Sequence, residues 1–157
     1  MEESSDQNQP PLPGFSPGGP YLHMAAICER VLREADGVLS LIRVVDRIMV
    51  SVTGEGAPAE MPPTAMNLTL AVGFKSGFAR GAYTVRVLTV SPSHQVLSTF
   101  EAPVLFEGED RGVQLTLGLG LQVQEEGLYW FEVYLHEVLF TKVPLRVVYQ
   151  RMSFSHQ

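Results

Sequence analysis

Short runs in which apolar and polar side chains alternate recur along most of this chain, and turn-favouring residues separate them. Such a period of two places alternate side chains on opposite faces of a β-strand, so each run can bury one face. The clearest runs are residues 66–74, 81–90, 96–106, 113–123, 128–135 and 138–149. This spacing predicts an all-β fold, an antiparallel β-sandwich of about eight strands, either immunoglobulin-like or C2-like.

Glycine, proline and polar residues mark the predicted connections between these strands. Gly118 and Gly120 interrupt an alternating run and predict a bulge or bend inside it. Pro103 predicts a break in the strand that contains it. The predicted loops and turns are residues 53–63, 77–81, 91–95, 106–112 and 125–127.

The segment 21–48 is ambiguous, because its first half fits both a helical stripe and an alternating strand. Ala25, Ala26 and Leu32 fit the stripe, whereas Leu22 and Met24 belong to the alternation. We predict a strand over 21–28, a short helical turn over 29–34, a turn at Asp36-Gly37 and a returning strand over 38–48.

The length of 157 residues, with 45% hydrophobic and 18% charged residues, predicts one globular domain. We place that domain at residues 21–150. Residues 1–20 contain five prolines and three glycines and predict a disordered tail, because they cannot bury enough apolar surface. Residues 151–157 are assigned to a short C-terminal tail.

The charge distribution argues against nucleic-acid and membrane partners. The net charge is −6, and the sequence has no basic stripe. It also has no secretory signal and no apolar run of about 18 residues. A cytoplasmic location follows as an expectation, and the preference for arginine over lysine predicts a bacterial source.

The candidate catalytic and metal-binding residues do not form a recognisable motif. Cys28, His23 and Asp46 suggest a nucleophile with its base, but a lone cysteine more often packs as a small hydrophobe. The four histidines lack metal-ligand spacing, and no cofactor motif is present. We therefore predict a protein that is not an enzyme and that has no catalytic, cofactor-binding or metal-binding residues.

The segment 127–140, GLYWFEVYLHEVLF, carries the strongest signal for a binding face. One face of the predicted strand holds Tyr129 and Phe131 and suits the core. The other face holds Trp130, Glu132, Tyr134 and His136. Aromatic residues with polar tips are common at protein interfaces. This second face is therefore either a partner-binding surface or a surface that the chain itself covers.

Two similar segments, at Gly81–Val87 and Gly127–Val133, each place a tyrosine two residues after a glycine. Such a tyrosine can bury its ring while its hydroxyl bonds nearby backbone, which is the tyrosine corner of immunoglobulin-like domains. We predict this arrangement for Tyr83 and Tyr129.

Two parts of the chain form a pattern that is shared with a known family. The C-terminal part is the strand at 127–133 with the final hairpin at 128–149. The N-terminal part consists of Cys28, Glu29, Val31, Gly37, Ser40, Ile42, Val44 and Asp46. Through these residues the sequence resembles a family of small bacterial β-sandwich proteins of unknown function, over roughly residues 21–149. His136-Glu137 departs from the family pattern where an Asp-Gly turn is expected. The resemblance implies a fold and no active site.

These observations predict a protein-interaction or accessory subunit of a bacterial assembly. Its partner is another protein or a second copy of the chain, bound by the aromatic face or by an edge strand. The alternative is a small-ligand or carbohydrate-binding module that uses the same aromatic residues.

Overall fold

The computed structural model describes residues 17–152, and these residues form an all-β fold. Most of the predicted N-terminal tail and the last five residues of the predicted C-terminal tail lie outside this range. No helix in the described range could cross a membrane. The strands are β1 (Tyr21–Arg33), β2 (Leu39–Val44), β3 (Arg47–Thr53), β4 (Thr64–Val90), β5 (Val96–Val123), β6 (Gly127–Leu135) and β7 (Val138–Met152).

The seven strands belong to one hydrogen-bonded sheet that curls around the core. The strand order is β2-β1-β4-β6-β7-β3, and β5 pairs with β4 beside this path. The first half of β4 lies between β1 and β5, and its second half lies between β6 and β5. The all-β prediction is confirmed, but residues 17–152 form seven strands instead of about eight.

The predicted helical turn at 29–34 is wrong, because β1 continues as a strand through Arg33. Arg30 pairs with Ile42 and Leu32 with Ser40 across the β1–β2 ladder. These backbone hydrogen bonds to β2 outweigh the weak local preference for a helix. The predicted Asp36-Gly37 turn is confirmed, with the Gly37 amide donating to the Glu34 carbonyl at 2.9 Å.

The predicted loops at 77–81 and 106–112 are also wrong, because β4 and β5 stay paired through both segments. Register shifts on either side of Gly77 absorb the extra residues and let the hairpin bend. Gly77 and Glu109 face each other there, and both have positive φ. By contrast, Gly118 and Gly120 mark no bulge, since the β4–β5 register is continuous there.

A single segment, 39–53, joins the two ends of the strand order. Its first part is β2, which pairs with β1, and its second part is β3, which pairs in parallel with β7. Only two residues separate β2 from β3. The Val45 amide donates to the Ile27 carbonyl of β1, and the Arg146 amide of β7 donates to the Asp46 carbonyl, both at 2.8 Å. This switch of partners closes one side of the curled sheet.

The core lies inside the curl and draws from both halves of the bent hairpin. Phe74, from the first half of β4, meets Phe106 of β5 edge-to-face with a centroid distance of 6.3 Å. Phe74 also meets Phe140 of β7 at 5.6 Å. The largest fully buried side chains are Tyr129, Phe74, Phe106, Phe131, Ile27, Leu70 and Leu145.

The tyrosine-corner prediction is confirmed for one tyrosine of the two. Tyr129 is buried, and its hydroxyl donates to the Glu125 carbonyl at 2.9 Å. Tyr83 is half-buried and stacks on His136, with ring centroids 4.5 Å apart.

Candidate functional site

The outer face of β6 brings together three of the four predicted binding residues. Trp130, Glu132 and Tyr134 are all half-buried, whereas the alternate residues of the strand are buried in the core. The strict alternation of the β6 sequence produces this division, because successive side chains point to opposite faces. We call Trp130, Glu132 and Tyr134, with their cross-strand neighbours Arg86 of β4 and Lys142 of β7, the outer aromatic face.

Glu132 is the centre of the outer aromatic face. One carboxylate oxygen accepts a hydrogen bond from the Lys142 ammonium at 2.9 Å. The other accepts one from the Tyr134 hydroxyl, also at 2.9 Å. The Glu132 side chain is only 15% exposed, whereas Lys142 is 47% exposed. The carboxylate is therefore shielded and held in a fixed position by two donors.

This geometry shifts the pKa values of all three groups. The hydrogen bond from Lys142 is the main reason that the pKa of Glu132 is lowered, and the bond from Tyr134 adds to it against the effect of burial. The same contact raises the pKa of Lys142. The pKa of Tyr134 is raised chiefly because its hydroxyl donates to Glu132. At neutral pH the trio therefore consists of a carboxylate, an ammonium and a neutral phenol.

Arg86 lies over the face of the Tyr134 ring. Its guanidinium carbon lies 4.8 Å from the ring centroid, which is within the range of a cation–π contact. The guanidinium also approaches the Glu137 carboxylate at 3.8 Å. Tyr134 therefore has its ring held by Arg86 and its hydroxyl held by Glu132.

Trp130 occupies the apolar end of this face. In the register of the sheet it lies between Val90 of β4 and Pro144 of β7, with Leu128 two residues away on the same face. All three strands present these side chains outward, away from the buried alternate residues. The result is an apolar area around the indole beside a charged area around Glu132.

His136 does not continue the face that the sequence predicts. β6 ends at Leu135, and His136 has a positive φ of 51°. Its ring turns to stack on Tyr83, and its amide donates to the Thr84 carbonyl at 2.8 Å. The change of direction at the turn places it beside a residue of the inner face. Alternation along the strand fails here because the strand has already ended.

We expect the Glu132 network to make stability depend on acidic pH. A lowered native pKa contributes stability that is present above the unfolded pKa, near 4.5, and is lost as pH falls through the native value. Glu132→Gln should therefore cost about 1 kcal/mol of unfolding free energy at pH 7, and this difference should shrink towards zero as acid protonates the Glu132 carboxyl. Urea denaturation of both proteins from pH 7 to pH 2.5 measures it.

The matched control is Glu137→Gln on the neighbouring turn. Glu137 is 89% exposed, and its carboxylate comes no closer than 3.8 Å to the Arg86 guanidinium. Its removal should therefore change the free energy of unfolding by less than about 0.5 kcal/mol at every pH. A difference in unfolding free energy between wild type and Glu132→Gln that stays constant down to pH 2.5 would contradict the expected contribution of the ionised carboxylate.

The structure separates the residues that a cysteine nucleophile would need. Cys28 is fully buried, and burial raises the pKa of its thiol. His23 is exposed and five residues away on the same strand, about 16 Å along an extended chain. Across residues 17–152, no group of three His, Cys, Asp or Glu side chains is placed to hold a metal ion.

A separate cleft of about 570 Å³ lies where the start of β5 approaches its end. Its polar lining includes Ser91, Ser93, Gln95, Gln122 and Glu125. The Ser93 hydroxyl donates to Glu125 at 2.7 Å, so these groups already satisfy one another in part. Trp130 and Tyr134 do not line this cleft.

The sequence missed Arg86 and Lys142. Both occupy neighbouring strands, and only the registers of β4–β6 and β6–β7 bring them opposite Tyr134 and Glu132. The outward position of Arg86 could have been read from the alternation of its own strand, but its partner could not.

A family model and solved structures relate this chain to known proteins. No curated protein matches it significantly. An immunoglobulin-like protein from Pseudomonas aeruginosa is similar in structure, with 15% identity and a TM-score of 0.35 over 80% of this chain and 97% of that one. The profile of a family of unknown function, DUF6941, matches residues 23–148, close to the 21–149 of the sequence resemblance. The chain therefore belongs to the DUF6941 family of unknown function.

Proposed function

We propose that this chain is a non-enzymatic protein-interaction subunit that holds a partner protein on the outer aromatic face. The observation that carries the proposal is that Trp130 and Tyr134 share the outward face of β6 with one shielded carboxylate, Glu132, which holds the Tyr134 hydroxyl in place. The accessory role in a bacterial cytoplasmic assembly, and the absence of nucleic-acid and membrane partners, belong to the same proposal.

The composition of the face supports a protein partner. Interface hot spots are enriched in Trp, Tyr and Arg, and all three types are present here within neighbouring strands. The side chains are held before binding by the Tyr134–Glu132 hydrogen bond and by Arg86 over the ring. A preorganised face loses less side-chain entropy on association, so more of its contact energy appears as affinity.

If the two halves of the sheet pack as two layers, the outer aromatic face points away from the core. We infer that the two halves of the curled sheet serve as the layers of an immunoglobulin-like sandwich. The support is that Phe74 and Leu70 from one half share a core with Phe131 and Val133 from the other. In such a sandwich the inner faces form the core and the outer faces meet solvent or partners.

The test compares wild type with a Trp130→Ala, Tyr134→Ala double variant in a pull-down from native lysate. The control variant, Val38→Ala with Leu105→Ala, removes two exposed apolar side chains that do not belong to this face. Circular dichroism checks that all three proteins are folded. We expect one protein to be retained by wild type and by the control and to be lost by the double variant.

A quantitative measurement then follows with that retained protein in purified form. Each single variant, Trp130→Ala or Tyr134→Ala, should raise the Kd by about tenfold or more if its side chain lies at the centre of the interface. Equal retention by wild type and by the folded double variant would overturn the proposal, because binding would then lie elsewhere.

The alternative function is small-ligand or carbohydrate binding by the same aromatic residues. A ligand that binds only the folded chain must raise its melting temperature. Thermal scans with mono- and oligosaccharides measure this effect. A rise in wild type that the double variant lacks would favour the alternative.

A further inference from the structure

The second half of β5 is an unpaired sheet edge. Residues 112–123 pair with residues 64–75 of β4 on one side. Within the part of the chain that the structure describes, no strand pairs with their other side. Such an edge presents a row of backbone N–H and C=O groups that can hydrogen-bond to another strand.

This half of β5 lacks the residues that normally protect an edge. Residues 112–123 contain no charged residue and no proline, and their register with β4 is continuous. The first half of the same strand carries Glu101, Pro103 and Glu107. Charged residues and proline are the common devices that prevent edge-to-edge pairing. The two halves of one strand therefore differ sharply in their readiness to pair.

The sequence of the unprotected half is nearly a palindrome. Residues 113–123 read VQLTLGLGLQV, which is symmetric about Gly118 except at Thr116 and Gly120. An antiparallel strand reads in the opposite direction to its partner. Two copies of this segment, paired antiparallel with Gly118 opposite Gly118, would therefore place identical residue types across from each other at nearly every position.

We propose that two copies of this chain dimerise by antiparallel pairing of residues 113–123 about a two-fold axis at Gly118. Each pair then has residue numbers that sum to 236, so Val113 meets Val123, Gln114 meets Gln122 and Leu115 meets Leu121 of the second copy. The contact is isologous, and it closes with two copies instead of propagating.

The proposed register also places inner-face residues of one copy opposite inner-face residues of the other, and outer-face residues opposite outer-face residues. Leu115 and Leu117 lie on the inner face but are only half-buried, whereas Leu119 and Leu121 are buried further along the same face. In the proposed dimer Leu115 meets Leu121 and Leu117 meets Leu119, so each half-buried leucine gains an apolar neighbour. On the outer face, Gln114 meets Gln122, and paired amides can hydrogen-bond to each other.

A second copy fits this edge better than an unrelated strand. Any strand can satisfy the backbone groups of this edge. Only a second copy of the same segment also places matching side chains opposite each other in the antiparallel register. No charged pair opposes the contact, since the segment carries no charge. The proposal is independent of the outer aromatic face, whose residues lie on β4, β6 and β7.

Disulfide trapping tests the register directly. Cys28 is fully buried, so a new cysteine on the outer side of β5 would be the exposed thiol. Opposed Cα atoms in an antiparallel pair lie about 4.5–5.5 Å apart, within disulfide range. Gly118→Cys should therefore form a covalent dimer on mild oxidation. A cysteine side chain fits there, because nothing lies within 4 Å of the added Cβ.

Gly120→Cys is the matched control, because it too is an exposed position of the same face. In the proposed register the two copies of residue 120 are offset by four residues, about 13 Å, which a disulfide cannot span. Efficient cross-linking of Gly118→Cys together with weak cross-linking of Gly120→Cys supports the proposal. Equal cross-linking of both, or of neither, overturns it.

Sedimentation velocity over a range of concentrations gives the second readout, without cysteine chemistry. Wild type should be a dimer at micromolar concentration. Gly118→Lys should raise the dimer Kd by about tenfold or more, because it places two ammonium groups opposite each other at the axis. Leu105→Lys, at an exposed position of the protected half, should leave the Kd unchanged. A wild-type monomer, an open-ended polymer or a dimer insensitive to Gly118→Lys would overturn the proposal.

Discussion

Phe74→Ala is expected to lower the free energy of unfolding by about 3–5 kcal/mol. The Phe74 side chain is 1% exposed and joins three parts of the chain. Its ring meets Phe106 of β5 and Phe140 of β7 edge-to-face, so truncation removes two aromatic contacts and leaves a cavity between the halves of the sheet. Urea denaturation monitored by the fluorescence of Trp130 measures the change.

Phe78→Ala is the matched control, four residues further along the same strand. Its side chain is 85% exposed, so its removal should change stability by less than about 0.5 kcal/mol. A loss at Phe74 no larger than the loss at Phe78 would show that the aromatic cluster does not hold the two halves of the sheet together.

Gly77→Ala should lower the free energy of unfolding by about 2–4 kcal/mol, through the backbone. Gly77 has a φ of 57°, in the left-handed region that other residues adopt at a cost. A Cβ there would also lie 2.5 Å from the Gly18 carbonyl oxygen and 3.1 Å from the Gly19 Cα. Because both atoms belong to backbone, residues 17–19 would have to move away from the bend of β4.

Two other glycines separate the cost of the positive φ from the cost of the steric clash. Gly37 has a φ of 85° but open space around its Cβ position, so Gly37→Ala should cost only about 1 kcal/mol. Gly56 has neither the unusual φ nor a neighbour within 4 Å, so Gly56→Ala should be close to neutral. Denaturation of the three variants should rank them in this order. A Gly77 loss equal to that of Gly37 would refute the predicted clash with residues 17–19.

Both predictions concern the bend of the β4–β5 hairpin, which the sequence did not reveal. Glycines at 77, 81 and 108 and the charges at 107–111 are typical of loops, and we predicted loops there. In the structure the pairing continues through these segments with shifted register. Turn residues indicate a change of chain direction, but they do not say whether the neighbouring strands keep their hydrogen bonds.

The helical turn predicted at 29–34 failed for a related reason. A local pattern reports only the preference of that segment, and the deciding bonds run to β2, about ten residues away. For the candidate site, alternation was enough to place Trp130, Glu132 and Tyr134 on one face. It could not place His136, whose positive φ comes from the turn after β6.

The sequence by itself determined the all-β fold, the division of β6 into a buried and an outward face, and the family resemblance. These follow from local information, because the period of side-chain direction along a strand is set by the backbone of that strand alone. Only the tertiary structure decided that β4 and β5 bend as one hairpin and that residues 39–53 change partners. It alone also decided that Lys142 and Arg86 hold Glu132 and Tyr134. Those features depend on register between distant strands, which is set by the packing of the whole core.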